Sequence, residues 1–237
     1  DLVGVTDATL QLSNTIDCRT FYGDTSYGFM DGNYKYQYDN YNNTYRWVPM
    51  NGDTAGLAAQ TDYTNDPWWS FAGYNRGNIK NVAGRLAWNP SKAVRDSLYK
   101  NGINPIIIET AQGPFLFGDK TLQTRPSAFQ FINVRRLFIV LEKALTTAAK
   151  FYLFEFNDVI TRATFVNMVE PYLRDVQARR GVTRFMVVCD ETNNTDDVIN
   201  AGQFVANIIV RPNRSIENIL LTFTAVGSDA AFTETNV

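Results

Sequence analysis

From Asn89 onward the sequence alternates between helical and extended patterns, which restricts the chain to folds that pack helices on a sheet. Apolar residues recur every three or four positions after Asn133 and again after Asn157, as they do in amphipathic helices. Short apolar runs at residues 105–109 and 185–189 have the length of buried strands. This alternation predicts the α+β class, with a mixed sheet and packed helices.

Polar residues predict where the helices begin. We expect Asn89, Asn133 and the pair Asn157-Asp158 to cap three helices, because a side-chain oxygen at this position accepts a bond from a free backbone N–H group. Pro171 lies inside the third helix and predicts a kink or a split. Gly181 predicts the end of that helix.

The C-terminal part contains two apolar runs, residues 204–210 and 216–225, joined by the turn-forming segment 211–215. We interpret them as a C-terminal antiparallel hairpin. A single hairpin leaves its strands short of partners, and a tail with little to bury follows at residues 227–237. An open sheet edge beside such a tail is typical of strand addition between copies of a chain. The pattern therefore favours an assembly unit over a catalyst.

The first 88 residues differ in composition, because they are rich in Tyr, Asn, Gly and Asp. Residues 34–38 alternate three tyrosines with Lys35 and Gln37, which places the three rings on one face of a strand. A polar turn follows, and residues 45–48 resume an extended pattern, so we predict a second hairpin. The change in composition predicts a boundary near position 88.

The composition excludes several classes of enzyme. The 237 residues include no histidine, so the chain has no Ser-His-Asp triad, no Cys-His dyad and no His-ligated zinc or haem. The formal net charge of −2 gives no sign of a broad surface for nucleic acid or membrane. No apolar run is long enough to span a bilayer. We expect no cofactor, no direct contact with nucleic acid and no membrane insertion.

Two segments look like ligand sites but lack the required spacing. Residues 113–121 look like a phosphate-binding loop, but Asp119 stands where that motif needs lysine, so we interpret the segment as a turn. The acidic residues between positions 190 and 197 do not match a calcium loop, and Thr195 explains them as a helix cap with an acidic first turn. We predict no metal site. A glycosidase with paired carboxylates stays open, although no pair stands out.

Basic residues cluster on the two long predicted helices of the second part. They are Arg135, Arg136 and Lys143 on one helix and Arg174, Arg179 and Arg180 on the other. One interpretation is a solvated face with favourable charges at a helix C-terminus. The other is a docking face for an acidic partner. The pattern alone favours the solvated face.

Several strings, in the right order along the chain, resemble the tail sheath proteins of contractile-tailed bacteriophages. They include Asp31-Gly32-Asn33-Tyr34, Gly52-Asp53-Thr54-Ala55-Gly56-Leu57, Phe117-Gly118-Asp119-Lys120-Thr121, Ile132-Asn133-Val134-Arg135-Arg136-Leu137 and Val188-Cys189-Asp190-Glu191-Thr192. The resemblance extends over nearly the whole chain and is to the C-terminal third of a long sheath protein. We therefore expect a missing upstream part, which agrees with a sequence that begins at Asp1.

The resemblance implies an architecture and a set of partners. Residues 1–88 would belong to a middle sheath domain, and residues 89–237 would form the inner polymerising domain with a terminal arm at 225–237. Subunits would form hexameric rings that stack as a helix around a tail tube and meet baseplate and tail terminator proteins. The protein would be a structural subunit of the virion, assembled in the host cytoplasm, and not an enzyme. The alternative is a tail-associated enzyme that degrades polysaccharide with carboxylates.

The resemblance also implies roles for particular residues. Arms from neighbouring subunits would complete each sheet, and the expected residues of this exchange are Phe185, Val187, Phe204, Ile208, Leu220, Phe223 and Phe232. The basic residues Arg174, Arg179 and Arg180 become candidates for contact with the tail tube.

Overall fold

The computed structural model describes residues 2–109, 112–217 and 219–220. Within these residues, helices and short strands alternate, which confirms the α+β class. The helices are α1 (Ala8–Thr20), α2 (Asn51–Thr64), α3 (Lys92–Lys100), α4 (Ile132–Ala149), α5 (Val159–Ala178) and α6 (Asp196–Asn200). The strands are β1 (Tyr34–Asp39), β2 (Thr44–Pro49), β3 (Ile106–Glu109), β4 (Gly113–Leu116), β5 (Val182–Val188) and β6 (Asn207–Pro212).

The strands form three separate antiparallel pairs in the described part of the chain: β1 with β2, β3 with β4, and β5 with β6. The predicted mixed sheet is therefore wrong for these residues. The predicted N-terminal hairpin is confirmed, with Tyr36 opposite Trp47 and Tyr38 opposite Tyr45. The rings of Tyr36 and Tyr45 stack at 5.2 Å between centroids, so aromatic contacts support this hairpin.

Strand β6 has a partner that the sequence pattern did not predict. It pairs with β5, which precedes it, and the described residues at positions 216, 217, 219 and 220 form no strand. Asn194 explains this choice, because its amide donates to the Val205 carbonyl at 2.8 Å and accepts from the Val205 N–H at 2.9 Å. The Asn194 side chain is only 2% exposed, and its two bonds to Val205 direct the chain back along β5. Residues 221–225 of the predicted hairpin lie outside the described residues.

Of the three predicted helix caps, one is confirmed and two are wrong. Asp158 caps α5 and accepts from the Thr161 N–H at 2.7 Å. Helix α3 instead follows Ser91, because the Asn89 amide pairs with the backbone of Ile108 on β3. Helix α4 begins one residue before Asn133, whose amide donates to the carbonyl of Trp68. Both asparagines are used in contacts that are distant in sequence.

Pro171 does not split α5, which runs unbroken from Val159 to Ala178. The proline lies on the exposed side of the helix, where water can hydrate the carbonyl that loses its intrahelical bond. The helix ends as predicted just before Gly181, whose N–H donates to the Val176 carbonyl at 2.8 Å. A Cβ at Gly181 would lie 2.6 Å from Val176 Cγ1 and 3.1 Å from the Trp68 ring, so the close packing requires glycine.

Two clusters form most of the core around the candidate surfaces. The first joins α4, α5 and β5 through Leu137, Phe165, Leu173, Val182 and Cys189. Burial raises the pKa of the Cys189 thiol, as expected for a small core residue. The second cluster contains residues from both sides of position 88. They are Met50, Leu57, Phe71, Ile79, Ile106, Leu116 and Ile132. The domain boundary at position 88 stays a prediction.

Candidate assembly surfaces

The β5–β6 pair has one face on the core and one face toward solvent. Phe185, Val187 and Ile208 are half-buried against the first core cluster, together with Phe204 just before β6. On the other face Met186 and Ile209 stand opposite each other, and each is 53% exposed. Four of the residues predicted for strand exchange therefore pack into the core of their own chain.

No third strand pairs with either outer edge of this pair among the residues that the structure describes, because the sheet there consists of β5 and β6 alone. Among the remaining predicted exchange residues, Leu220 is 93% exposed, while Phe223 and Phe232 lie outside the described residues. An open edge on a strand pair with a half-exposed apolar face is suited to strand addition.

The predicted basic residues of α5 occupy two different surroundings. Arg174 is largely exposed and forms an ion pair with Glu170 at 3.0 Å, one turn earlier. Arg179 forms ion pairs with Asp66 and Asp175, both at 2.7 Å. The solvated interpretation accounts for Arg174, whereas Arg179 also ties the end of α5 to the loop that precedes Trp68.

Two tryptophans, Trp68 and Trp69, which no sequence motif singled out, organise this end of α5. The Trp68 Nε1–H donates to the Arg179 carbonyl at 3.0 Å, and the Arg179 guanidinium lies 5.1 Å from the centre of the Trp68 ring. The Arg180 guanidinium lies 5.4 Å from the Trp69 ring, and Arg180 has a positive φ of 65°. The structure thus brings Arg179 and Arg180 together on two indole rings and leaves Arg174 apart from them.

Beside the tryptophans lies an open groove of about 860 Å³. Further cations lie against its aromatic lining: Arg76 is 5.1 Å from the Trp69 ring, and Arg95 is 5.5 Å from the Phe117 ring. The groove therefore combines guanidinium groups with aromatic faces, which suits carboxylate-bearing or aromatic partners.

Asp119, which replaces lysine in the loop-like motif, is a structural anchor in this groove. It is 6% exposed and accepts from Ser215 at 2.6 Å, Ser70 at 3.0 Å and Tyr99 at 3.3 Å. Burial, together with the nearby Asp119 and Glu217 carboxylates, raises the pKa of Tyr99. Residues 113–116 form strand β4 instead of the predicted turn. Because Asp119 is engaged by three hydroxyl groups, its carboxylate holds segments together.

The acidic segment after β5 is a turn followed by a short helix, as predicted, but Thr195 stands at the N-cap position without a side-chain capping bond. The Asp190 carboxylate accepts from the Thr192 hydroxyl and from the Thr192 N–H, and these bonds lower its pKa. Helix α6 begins directly after Thr195, with Asp196 and Asp197 in its first turn. Within the described part of the chain, no group of three or more acidic or cysteine side chains is arranged to hold a metal ion. No helix among those residues is long and apolar enough to cross a membrane.

Comparison with known proteins decides the family. Residues 124–225 match the family model "Phage tail sheath C-terminal domain". The tail sheath protein of Vibrio phage KVP40 is 53% identical over 210 residues, which cover 89% of this chain and 31% of that protein. The chain is homologous to the C-terminal portion of phage tail sheath proteins. The tail sheath protein of Enterobacteria phage T4 is 43% identical over 98% of this chain and 36% of its own length.

Solved structures show the same fold. The helical sheath of the anti-feeding prophage, in its contracted state, matches with a TM-score of 0.74 at 20% identity, over 90% of this chain and 64% of that chain. The chain spans about a third of the length of its curated relatives. The resemblance inferred from the sequence is confirmed, and the small antiparallel sheets agree with contractile sheath structures.

Proposed function

We propose that this chain forms the polymerising part of a contractile tail sheath subunit. The observation that carries the proposal is its 43–53% identity to curated tail sheath proteins over 89–98% of its length. The open edges of the β5–β6 pair support it, because a polymer with strand exchange needs such edges. Subunits form hexameric rings that stack as a helix around a tail tube, between baseplate and tail terminator proteins. The sheath is part of the virion and assembles in the host cytoplasm.

Strand exchange links the subunits in this proposal. The arm at residues 225–237 leaves its own subunit and adds to the sheet of a neighbour that contains β5 and β6. Phe185, Val187 and Ile208 already fill the core side of that sheet, so an added strand extends it through backbone bonds. Contraction is then a change between two packings of rigid bodies that stay tethered by their arms, and it drives the tube through the host envelope for genome ejection.

Contact with the tube is weak and polar in this proposal. Arg174, Arg179 and Arg180 face a tube carboxylate in competition with their present partners, such as Glu170 at 3.0 Å from Arg174. Exposed ion pairs of this kind contribute about 0–1 kcal/mol each. Contacts of that strength hold the sheath in register with the tube before contraction and break during contraction.

Electron microscopy of the purified full-length protein tests the main proposal. We expect tubes or stacked rings that form without any added partner. A persistent monomer that cleaves cell-surface polysaccharide would favour the enzyme alternative and refute the sheath.

Deletion of residues 227–237 tests the arm. We expect the subunit to keep its unfolding temperature, because the described core lies in residues before position 220, but to stop polymerising. Polymers of normal length would show that this arm does not link subunits.

Charge reversal tests the tube contact. We expect Arg174→Glu with Arg180→Glu to weaken assembly on tubes more than assembly without tubes, while Arg46→Glu on β2 changes neither. Arg179 is left intact because its bonds to Asp66 and Asp175 stabilise the subunit. Equal losses with and without tubes would contradict the proposal.

A further inference from the structure

The connection between α4 and α5, together with the first two residues of α5, exposes several large apolar side chains. They are Phe151, Leu153, Phe154, Phe156, Val159 and Ile160, with exposed fractions from 63% for Val159 to 105% for Phe154. We call these six residues the apolar ridge. Soluble proteins rarely expose contiguous apolar surface of this kind unless it is a binding surface.

Contacts with the rest of the fold at both ends of the segment fix the backbone of the ridge. Tyr152 points inward between exposed neighbours, and its ring packs on Phe165 at 5.4 Å and on Phe204 at 6.3 Å. At the other end the Asn157 amide donates to the Gln203 carbonyl at 2.9 Å, and its oxygen accepts from Arg162 at 3.1 Å. Because both ends are anchored, the exposed side chains are presented by a fixed backbone, which lowers the entropy lost on binding.

The backbone at the top of the ridge is strained. Phe154 has a φ of 71°, in the left-handed region that bulky residues avoid. Such a conformation persists only where the surrounding structure imposes it. Here the Glu155 N–H donates to the Tyr152 carbonyl at 3.3 Å across this residue, and the turn directs a fully exposed ring into solvent. A strained residue that presents an apolar ring to solvent is consistent with a contact outside the described fold.

We propose that the apolar ridge is a contact between copies of this chain in the sheath. This inference rests on the proposed self-assembly. Helical polymers use heterologous contacts, in which a surface of one copy meets a different surface of the next. The solved helical sheath of the anti-feeding prophage has the same fold as this chain, so the fold is compatible with heterologous contacts between copies. The ridge also adjoins the proposed exchange sheet, since Tyr152 packs on Phe204 at the entry to β6.

The energy of the ridge suits a contact between copies better than contact with the tube. Burial of one Phe side chain contributes more free energy than an exposed ion pair does. A few buried Phe residues therefore outweigh several exposed ion pairs. Within residues 151–160, which carry the ridge, the charged side chains are Glu155 and Asp158, and the Asp158 carboxylate is engaged in capping α5. A contact between copies must survive contraction and therefore needs the stronger, apolar kind of interface. A contact with the tube must break as the sheath moves along it and needs only weak ion pairs.

A triple variant of the full-length protein tests the inference. We expect Phe151→Ser, Phe154→Ser and Phe156→Ser together to raise the critical concentration for polymerisation without tubes by about tenfold or more. The unfolding temperature of the free subunit stays that of the wild type. The matched control is the triple variant Phe21→Ser, Tyr41→Ser and Tyr63→Ser, which changes three exposed aromatic residues outside the ridge. It polymerises like the wild type.

Each other outcome overturns the inference. Normal polymerisation of the ridge variant shows that copies do not meet there. A free subunit that unfolds several degrees lower shows that another part of the same protein covers the ridge. A loss seen only on tubes assigns the ridge to the tube. If the wild-type protein itself does not polymerise, the proposed function fails first, and the contact between copies fails with it.

Cysteine labelling gives a second measurement. In a Cys18→Ser background, Phe154→Cys is expected to react quickly with a maleimide in the free subunit and at least about tenfold more slowly in polymers without tubes, as burial blocks access. Cys189 is buried and gives a low background. Equal rates in subunit and polymer would refute the contact.

Discussion

Asp31 makes the stability of this chain depend on pH in a direction opposite to that of most carboxyl groups. Burial is the main cause that raises its pKa from the usual 3.8 to about 6, and the nearby Asp53 carboxylate adds to the shift. The Thr54 hydroxyl donates to Asp31 Oδ2 at 2.9 Å, which favours the carboxylate and offsets part of the shift. The same hydroxyl lies 2.9 Å from the Asn51 carbonyl and has one proton, so a protonated Asp31 can donate to Thr54 while Thr54 donates to Asn51.

The magnitude follows from the shift. A folded-state pKa above the unfolded value means that the folded state binds the proton more tightly. The corresponding stability is present in full below pH 3.8 and is lost as pH rises through about 6. A difference of about two pKa units corresponds to about 3 kcal/mol, which is an upper bound because Asp31 is half-buried.

Asp31→Asn removes this dependence, because an amide cannot ionise and its N–H groups can donate to Thr54. We expect the variant to be more stable than the wild type by about 1–3 kcal/mol at pH 7.5 and nearly equal to it near pH 4. Urea unfolding followed by circular dichroism at both pH values measures the difference. Asp17→Asn on the exposed side of α1 is the control and should show no such gain. Parallel pH profiles for wild type and Asp31→Asn would refute the argument.

Two further substitutions have defined expectations. Gly181→Ala places a Cβ 2.6 Å from Val176 and should lower the free energy of unfolding by about 1–3 kcal/mol. The control Gly52→Ala, whose Cβ meets no atom within 4 Å, should change it little. Thermal unfolding compares the two variants, and equal effects would contradict the packing argument. Asn194→Ala removes both bonds to Val205 and should cost about 2–3 kcal/mol in urea unfolding. Asn193→Ala is expected to cost less, because Asn193 is more exposed than Asn194 and its side-chain bonds to Val188, Asp190 and Asn194 lie within the turn itself.

Local patterns in the sequence were sufficient for elements that depend on near neighbours. The tyrosine alternation predicted β1, and the turn that follows predicted β2, because each strand partner lies within 15 residues. The Asp158 cap was predicted for the same reason, since its partner Thr161 is three residues away. Asn89 and Asn133 have the same local signal as a cap, yet their amides bind Ile108 and Trp68. No local rule distinguishes these cases.

The pairing of β6 shows a similar limit. Sequence adjacency favoured a partner after Pro212, whereas the partner found among the described residues is β5, and a polar turn with α6 lies between the two strands. The decisive contact is the Asn194 side chain on Val205, which substitutes for a backbone bond at the entry to the strand. An asparagine inside an acidic, turn-forming segment gives no sign of this role in sequence.

The assembly surfaces were only partly visible in sequence. Charge identified Arg179 and Arg180, but their positions on Trp68 and Trp69 depend on a loop more than 100 residues earlier in the chain. The apolar ridge could not be predicted, because an apolar residue next to a helix normally indicates core. Tyr152 follows that rule, and its neighbours Phe151 and Leu153 do not.

The proposed contacts differ in strength in the way that contraction requires. Arg174 already has Glu170 as a partner, so a tube carboxylate gains only the difference between two exposed ion pairs, which is well below about 1 kcal/mol. Each Phe of the apolar ridge has no packing partner to lose among the described residues, so its burial by a neighbouring copy contributes the full transfer energy of about 1.5–3 kcal/mol. Copies that bind each other more strongly than they bind the tube can move along it as one connected sheath.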